Sequence, residues 1–269
     1  NHKTAYAISA CLVGSEMCIR DSAAAADARH GMNEAIARLS TGKRTMYGGD
    51  AAAQSMADNI KARGMSFAVA ARNAEDGLSV AQTIESAVME IASLAQRLRE
   101  LGIQQDNAAL HSASDIAALS AEAVAVTDAM ALIEQTTKFN GKTIIDDADT
   151  TINIGVTDAG DTVTITSKLI VDKSDTSTAA GAEAAADAIL ADVGESLGNI
   201  AAAMTVLKAR QAVAYSASAN MLAAAARLQD TDFAASSANL AKFSILNQSA
   251  MAMVAQANQA QSAVLAVLQ

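Results

Sequence analysis

The feature that most limits the folds open to this chain is that its 269 residues include no proline. Proline interrupts helices because it lacks a backbone N–H and its ring clashes with the preceding turn. At an average usage of roughly 5%, a chain of this length would contain about a dozen prolines. Apolar residues make up 51% of the sequence and aromatic residues only 3%, so Ala and aliphatic side chains must supply the core. The sequence therefore predicts long, uninterrupted helices that pack closely.

Three segments place an apolar residue at every third or fourth position, a spacing that draws one apolar stripe along a helix. The stripes run through residues 84–101, 116–133 and 193–228. The third stripe keeps strict steps of four and three, which is typical of helices that pack side by side as in a coiled coil. The predicted fold class is mainly α: a long antiparallel coiled-coil-like helical bundle.

A small β segment interrupts the helices between residues 139 and 180, where Thr, Val, Ile and Asp dominate. Polar and apolar residues alternate over 151–154 and 162–166, on either side of a Gly-containing stretch at 157–161. This pattern predicts a β-hairpin, preceded by a turn at Asn140-Gly141.

Polar residues mark where two of the helices begin. A glycine-rich loop over residues 42–49 follows the first Ala-rich helix, and Asp50 can cap the next one. Ser112 and Asp115 stand three residues apart, so that a hydroxyl and a carboxylate can satisfy the free N–H groups of a first turn. We therefore predict helix starts after Asp50 and after Ser112.

The charge of the chain excludes two classes of partner. With 19 basic and 29 acidic residues, its formal net charge is −10 and its pI is about 4.7. An acidic surface repels phosphates, which argues against binding to nucleic acid or to an anionic membrane. We also find no stretch that approaches the roughly 20 apolar residues of a membrane span.

The residue types that carry catalysis or bind metals are scarce. The acidic group near residue 147 lacks the glycine and the glutamate of a calcium loop, and the two cysteines have no second pair for zinc. We therefore predict no enzyme activity and no catalytic, cofactor-binding or metal-binding residue. The residues considered are His2, His30, His111, Cys11, Cys18, Asp146, Asp147 and Asp149.

The C-terminal segment carries the strongest functional signal, because no charged residue follows Lys242. Its apolar stripe is too continuous for a helix surrounded by water, and its many amides and hydroxyls are costly in hydrocarbon. Burial among other protein helices is the remaining solution, so we predict self-assembly through this helix. The predicted assembly residues are Leu240, Phe243, Leu246, Met253, Val264 and Leu268.

With these residues in view, the chain resembles the bacterial flagellin family from about Ala35 to its end. Each matching fragment alone is weakly specific, but their order at both ends of one chain is highly specific. The fragments are RLSTG at 38–42, DAAAQSMA at 50–57, RNAEDGLSVAQ at 72–82, QRLREL at 96–101, FNG at 139–141, DTDFA at 230–234, NLAK at 239–242 and AQANQ at 255–259.

The resemblance implies a minimal flagellin that lacks the outer variable domains of larger relatives. Residues 23–45 and 233–269 would form the inner-tube domain of a filament, and residues 46–138 with 181–232 the surrounding helical bundle. Residues 139–180 would form the β-hairpin segment. Residues 1–22 are atypical of the family and partly resemble translated sequencing-adaptor sequence, so an artefactual leader and a native segment are both open.

The resemblance also implies partners and site residues. Arg97, Leu101 and Glu122 would lie on the surface used for contacts between subunits and for recognition by the vertebrate Toll-like receptor for flagellin. The chain would form a homopolymer, and its other partners would be an export chaperone, the cap and the junction proteins. It would reach the extracellular filament through the flagellar export apparatus, without a cleaved signal peptide.

Two alternatives share part of this pattern. The hook-filament junction protein has the same terminal helices but forms only a short ring. The cytoplasmic coiled coil of a chemoreceptor is also acidic, rich in Ala and poor in aromatic residues. The chemoreceptor alternative requires a membrane span and a continuous helical hairpin. In this chain the β segment interrupts the helices, which argues against it.

Overall fold

The computed structural model describes residues 2–44, 50–145, 150–167 and 180–268, with side chains described at 19–44, 50–145, 150–167, 180–259 and 262. Over these residues the fold is mainly α, as predicted, with a short 3-10 turn at Ala108–Leu110 between the second and third helices. The long helices are α1 (His2–Thr41), α2 (Ala51–Asp106), α3 (Ala113–Thr136), α4 (Ala182–Gln229) and α5 (Phe233–Leu268).

Two antiparallel strand pairs lie between α3 and α4. Strand β3 (Thr150–Gly155) pairs with β4 (Thr162–Ser167), which confirms the predicted hairpin. The shorter pair, β1 (Lys138–Phe139) with β2 (Lys142–Thr143), is closed by Asn140 and Gly141 at φ 49° and 79°. Positive φ at both central residues defines the tight hairpin turn for which an Asn-Gly pair is favoured.

The chain divides into two compact units, and α2 and α4 each contribute to both. The first unit contains residues up to 61 and from 222 onward, and the second contains residues 62–221.

Helices α1 and α5 pack against each other in the first unit. Gly31 of α1 faces Phe243 of α5, and an added Cβ at Gly31 would lie 2.6–2.7 Å from three ring carbons. Arg29 reaches Met251 of α5, so the two helices run antiparallel. Small residues on α1, namely Ala25, Ala28 and Ala35, are buried and let the two backbones approach closely.

The second unit has an aliphatic core formed by α2, α3, α4 and the larger hairpin. The apolar stripes predicted from the sequence supply it, which confirms the periodicity argument. Fully or almost fully buried members are Ile84, Val88, Ile91, Leu98, Leu101, Ala123, Met130, Ile165, Val193, Ile200 and Leu207.

Helix α3 corrects the expectation that no segment approaches a membrane span. Its 24 residues include an 18-residue window with a mean hydropathy of 1.7, enough by length and composition to cross a membrane. The expectation failed because Ala and Val raise the mean hydropathy without forming a continuous run of large apolar side chains. The helix also carries acidic residues, and Glu134 is buried together with Thr127 and Met130. A helix that packs in a protein core can have the same length and mean hydropathy, so these two properties alone do not place α3 in a membrane.

Both predicted helix caps are present. The Asp50 carboxylate accepts a hydrogen bond from the Ala53 N–H at 3.1 Å, at the start of α2. At the start of α3, the Ser112 hydroxyl accepts from the Asp115 N–H, and the Asp115 carboxylate accepts from the Ser112 N–H at 2.9 Å. This reciprocal pair satisfies two N–H groups that have no partner within the helix.

We expect the cap of α3 to make stability depend on pH. Hydrogen bonds from the Ser112 hydroxyl and N–H lower the pKa of Asp115, with a smaller contribution from His111. A lowered pKa means that the ionised carboxylate stabilises the fold above the ordinary Asp value of about 4, and this stabilisation is lost as pH falls through the lowered pKa. Asp115→Asn should therefore lower the free energy of unfolding at pH 7, and the difference should shrink below pH about 4. Urea unfolding over a pH series measures this, and a difference that does not change with pH would contradict it.

Gly102, near the end of α2, provides a second test of the packing. An added Cβ there would lie 2.5 Å from the backbone nitrogen of Glu183, at the start of α4. Gly102→Ala should lower the free energy of unfolding by about 1–3 kcal/mol, the usual effect of overpacking. Gly194 of α4 has open space around it, so Gly194→Ala is the matched control and should raise stability by up to about 1 kcal/mol. If both variants changed the free energy of unfolding in the same direction, the close approach at Gly102 would be contradicted.

Candidate assembly and recognition surfaces

Helix α5 presents large apolar side chains to solvent. Ile245 is 66% exposed, Leu246 45%, Met251 48% and Met253 43%. These apolar side chains face solvent on a segment that also has no charged residue after Lys242 to interact with water. Large apolar side chains exposed together on one helix indicate a site of protein contact.

The predicted assembly residues occupy different places on α5. Leu240 and Phe243 are half-buried, and Leu246 and Met253 are exposed. Phe243, Leu246 and Met253 line one groove along α1, which Ala250 also borders. The side chains of the remaining two predicted residues, Val264 and Leu268, lie outside the described residues.

The structure brings two of the three predicted recognition residues together. Arg97 of α2 donates from Nη2 to Glu122 Oε1 of α3 at 2.6 Å, and from Nη1 to Glu100 Oε2 at 2.9 Å. Hydrogen bonds and charges from Glu122 and then Glu100 raise the pKa of Arg97. The three side chains remain substantially exposed, so they form a polar surface cluster.

Leu101, the third predicted residue, is fully buried in the core of the second unit. It lies one helical turn beyond Arg97 on α2, but its side chain packs inward with the apolar stripe. In this structure a partner cannot touch it directly.

Several polar contacts between elements were not expected from the sequence. Arg99 donates to Asp187 at 2.8 Å and joins α2 to α4. Glu75 accepts from Gln211 at 2.8 Å and from the Tyr215 hydroxyl at 2.7 Å, and this second bond raises the pKa of Tyr215. Each pair joins residues at least 88 positions apart, and no local pattern identifies partners at such separations.

The larger hairpin is also held by specific contacts. Arg63 of α2 donates to Asp158 at 2.8 Å, and the Asn73 amide donates to the Gly155 carbonyl at 3.2 Å. These contacts join the hairpin to α2, and Ile165 of β4 is buried in the core of the second unit.

A metal centre finds no support in the part of the chain that the structure describes. No group of three or more His, Cys, Asp and Glu residues there could hold a metal ion. The acidic residues considered for calcium, Asp146, Asp147 and Asp149, lie outside the described residues.

The described elements define a class of helical structural subunit. Its terminal helices pair with each other, a helix with no charged residue after Lys242 exposes large apolar side chains, and a small hairpin packs on the central helices. Family comparison gives the same assignment. The model of the bacterial flagellin N-terminal helical region matches residues 19–150, and that of the C-terminal helical region matches residues 179–268.

Individual relatives agree with both family models. The chain is 32% identical over 248 residues to the flagellin of Halalkalibacterium halodurans, which covers 87% of this chain and 91% of that protein. It is 39% identical over 115 residues to flagellin A of Vibrio cholerae and 38% identical over 136 residues to the flagellin of Salmonella typhimurium. Those two matches cover 42% and 50% of this chain, but only 30% and 27% of the relatives. The chain belongs to the bacterial flagellin family.

Membership of this family makes the chain a structural subunit of the bacterial flagellar filament, which is extracellular and serves motility. The family is structural rather than enzymatic, and its members polymerise with copies of themselves. These matches give no support to the junction-protein or chemoreceptor alternatives.

Proposed function

We propose that the chain enters the filament through the α5 assembly face, defined as Leu240, Phe243, Leu246, Met253, Val264 and Leu268. The observation that carries this proposal is the exposure of large apolar side chains on a helix without charges after Lys242. Burying one such side chain contributes about 1.5–3 kcal/mol. A few of them meeting the same face of neighbouring copies supply enough free energy to hold a subunit in place.

The Arg97–Glu122 pair is proposed as a second contact surface, on the other unit. Its paired charges are exposed and fixed in position by the hydrogen bonds between α2 and α3. A neighbouring subunit is the first partner we propose for it, and the vertebrate Toll-like receptor for flagellin is the second. Leu101 supports this surface by anchoring α2 in the core.

The remaining proposed partners act before and during polymerisation, when the α5 assembly face is not yet covered by other subunits. An export chaperone would bind it in the cytoplasm, and the cap and junction proteins would meet the subunit at the filament ends. Export would proceed through the flagellar secretion channel, without cleavage of a signal peptide.

Seeded elongation tests the proposed function. The purified chain, with and without residues 1–22, is added to preformed filament seeds, and growth is followed by sedimentation and electron microscopy. The proposal predicts seeds that lengthen in proportion to added subunit. Growth that stops after a short ring would instead support the junction protein, and no growth with either form would contradict the proposal.

A further inference from the structure

Two methionines stand out on α5 because they are both exposed and next to the predicted assembly residues. Met251 is 48% exposed and Met253 is 43% exposed, whereas Met130 in the core of the second unit has no exposed surface. Oxidation of a thioether follows its exposure and turns a flexible apolar side chain into a polar one. The free subunit therefore presents two oxidisable sulfurs on α5, and one of them, that of Met253, belongs to the α5 assembly face.

Met251 has a neighbour that favours the oxidised form. The Nη2 atom of Arg29 lies 3.5 Å from Met251 Sδ, in a groove that His30 and Asn33 also line. A thioether sulfur is a weak acceptor. A sulfoxide oxygen is a far stronger one, so the guanidinium of Arg29 is placed to donate to it. The oxidised side chain would then stay bound in the groove of its own subunit.

Met253 has different surroundings. It lines a groove with Phe243, Leu246 and Ala250, and the side chains of Asp21, Asp27 and Ser249 border the same groove. A sulfoxide there would carry its dipole into any contact made through this groove, and burying a polar group without a partner is unfavourable. The charged residues that border this groove, Asp21 and Asp27, are carboxylates, which accept hydrogen bonds and so cannot donate one to a sulfoxide oxygen.

We propose that Met251 and Met253 form an oxidation switch, in which a peroxide-class oxidant converts both thioethers to sulfoxides and so prevents the free subunit from joining a filament. Each sulfur gives an electron pair to one peroxide oxygen, the O–O bond breaks, the S–O bond forms, and the second oxygen leaves as water after proton transfer. Sulfur is oxidised by two electrons and the peroxide is reduced. The inference rests on the proposed function, since it concerns regulation of assembly through α5.

The test combines oxidation mapping with seeded elongation. The full chain is treated with dilute hydrogen peroxide, sulfoxides are located by mass spectrometry, and the elongation rate is expressed relative to the untreated sample of the same protein. We expect Met251 and Met253 to oxidise well before Met130, and elongation to fall at least tenfold. Methionine sulfoxide reductase should restore it. In assembled filaments, Met251 and Met253 should be protected from peroxide.

Two variants separate this switch from general oxidative damage. Met251→Leu/Met253→Leu should lose the peroxide sensitivity of elongation. The control Met56→Leu/Met65→Leu/Met89→Leu removes three other exposed methionines and should keep that sensitivity. Unchanged elongation of fully oxidised chain, or a sensitive Met251→Leu/Met253→Leu variant, would overturn the inference and leave the proposed function intact. Failure of the untreated chain to elongate seeds would overturn the proposed function and this inference with it.

Discussion

Placing positive charges on the α5 assembly face should nearly abolish filament growth. The double variant Leu246→Lys/Met253→Lys puts two ammonium groups where neighbouring copies must exclude water. Removing these charges from water is unfavourable even beside the carboxylates of Asp21 and Asp27, which line the same groove. We expect elongation of preformed seeds to slow by at least about 100-fold, which corresponds to about 2.7 kcal/mol. Seeded elongation, followed by sedimentation, measures the effect.

The fold of this variant should survive, because both side chains are already 43–45% exposed in the single subunit. Circular dichroism and thermal unfolding check this point. The control Gln104→Lys/Asn107→Lys adds the same charge at exposed polar positions near the end of α2 and should elongate seeds normally. Equal loss of growth in both double variants would mean that net charge, and not the α5 assembly face, controls assembly.

Leu101→Ala should destabilise the second unit by about 2–5 kcal/mol, the usual cost of truncating a buried leucine. Leu101 is fully buried within the core that α2 shares with α3 and α4. Urea unfolding with a helical signal measures the change. Any loss of assembly or receptor recognition in this variant should follow the loss of folded protein.

Arg97→Ala is the matched comparison on the same helix. Its guanidinium is exposed and its ion pairs are screened by solvent, so the free energy of unfolding should change far less than in Leu101→Ala. If Arg97 contacts a partner, this variant should weaken binding while remaining folded. If Leu101→Ala lost binding while its free energy of unfolding stayed unchanged, Leu101 would be a contact residue. That result would contradict the assignment of Leu101 to the core and of Arg97 to the contact surface.

The parts of the fold that were predictable from the sequence are those set by local chemistry. The apolar stripes predicted the buried faces of α2, α3 and α4, and the Ser112–Asp115 pair predicted the start of α3. Alternation around a Gly-containing turn predicted the pairing of β3 with β4. Each of these signals lies within a few residues, so a single sequence contains all of it.

The parts that were not predictable depend on contacts between distant segments. Gly77 in the middle of α2 is unfavourable for a helix by itself, and only the structure shows that Ile154 approaches it so closely that an added Cβ would lie at 2.9 Å. Arg97, Leu101 and Glu122 were expected on one surface only from the family resemblance. The structure adds the hydrogen bond between Arg97 and Glu122 and buries Leu101 in the core. Met251 was not among the predicted assembly residues because it lies off the apolar stripe of this segment, and only the structure shows its contact with Arg29.

The most direct test of the account is a cryo-electron microscopy structure of a filament grown from this chain. It should show α5 enclosed by neighbouring subunits, with Leu246 and Met253 losing the exposure they have in the single subunit. A filament in which these side chains still face solvent, or a chain that forms no filament on seeds, would contradict the central claim that α5 is the assembly face.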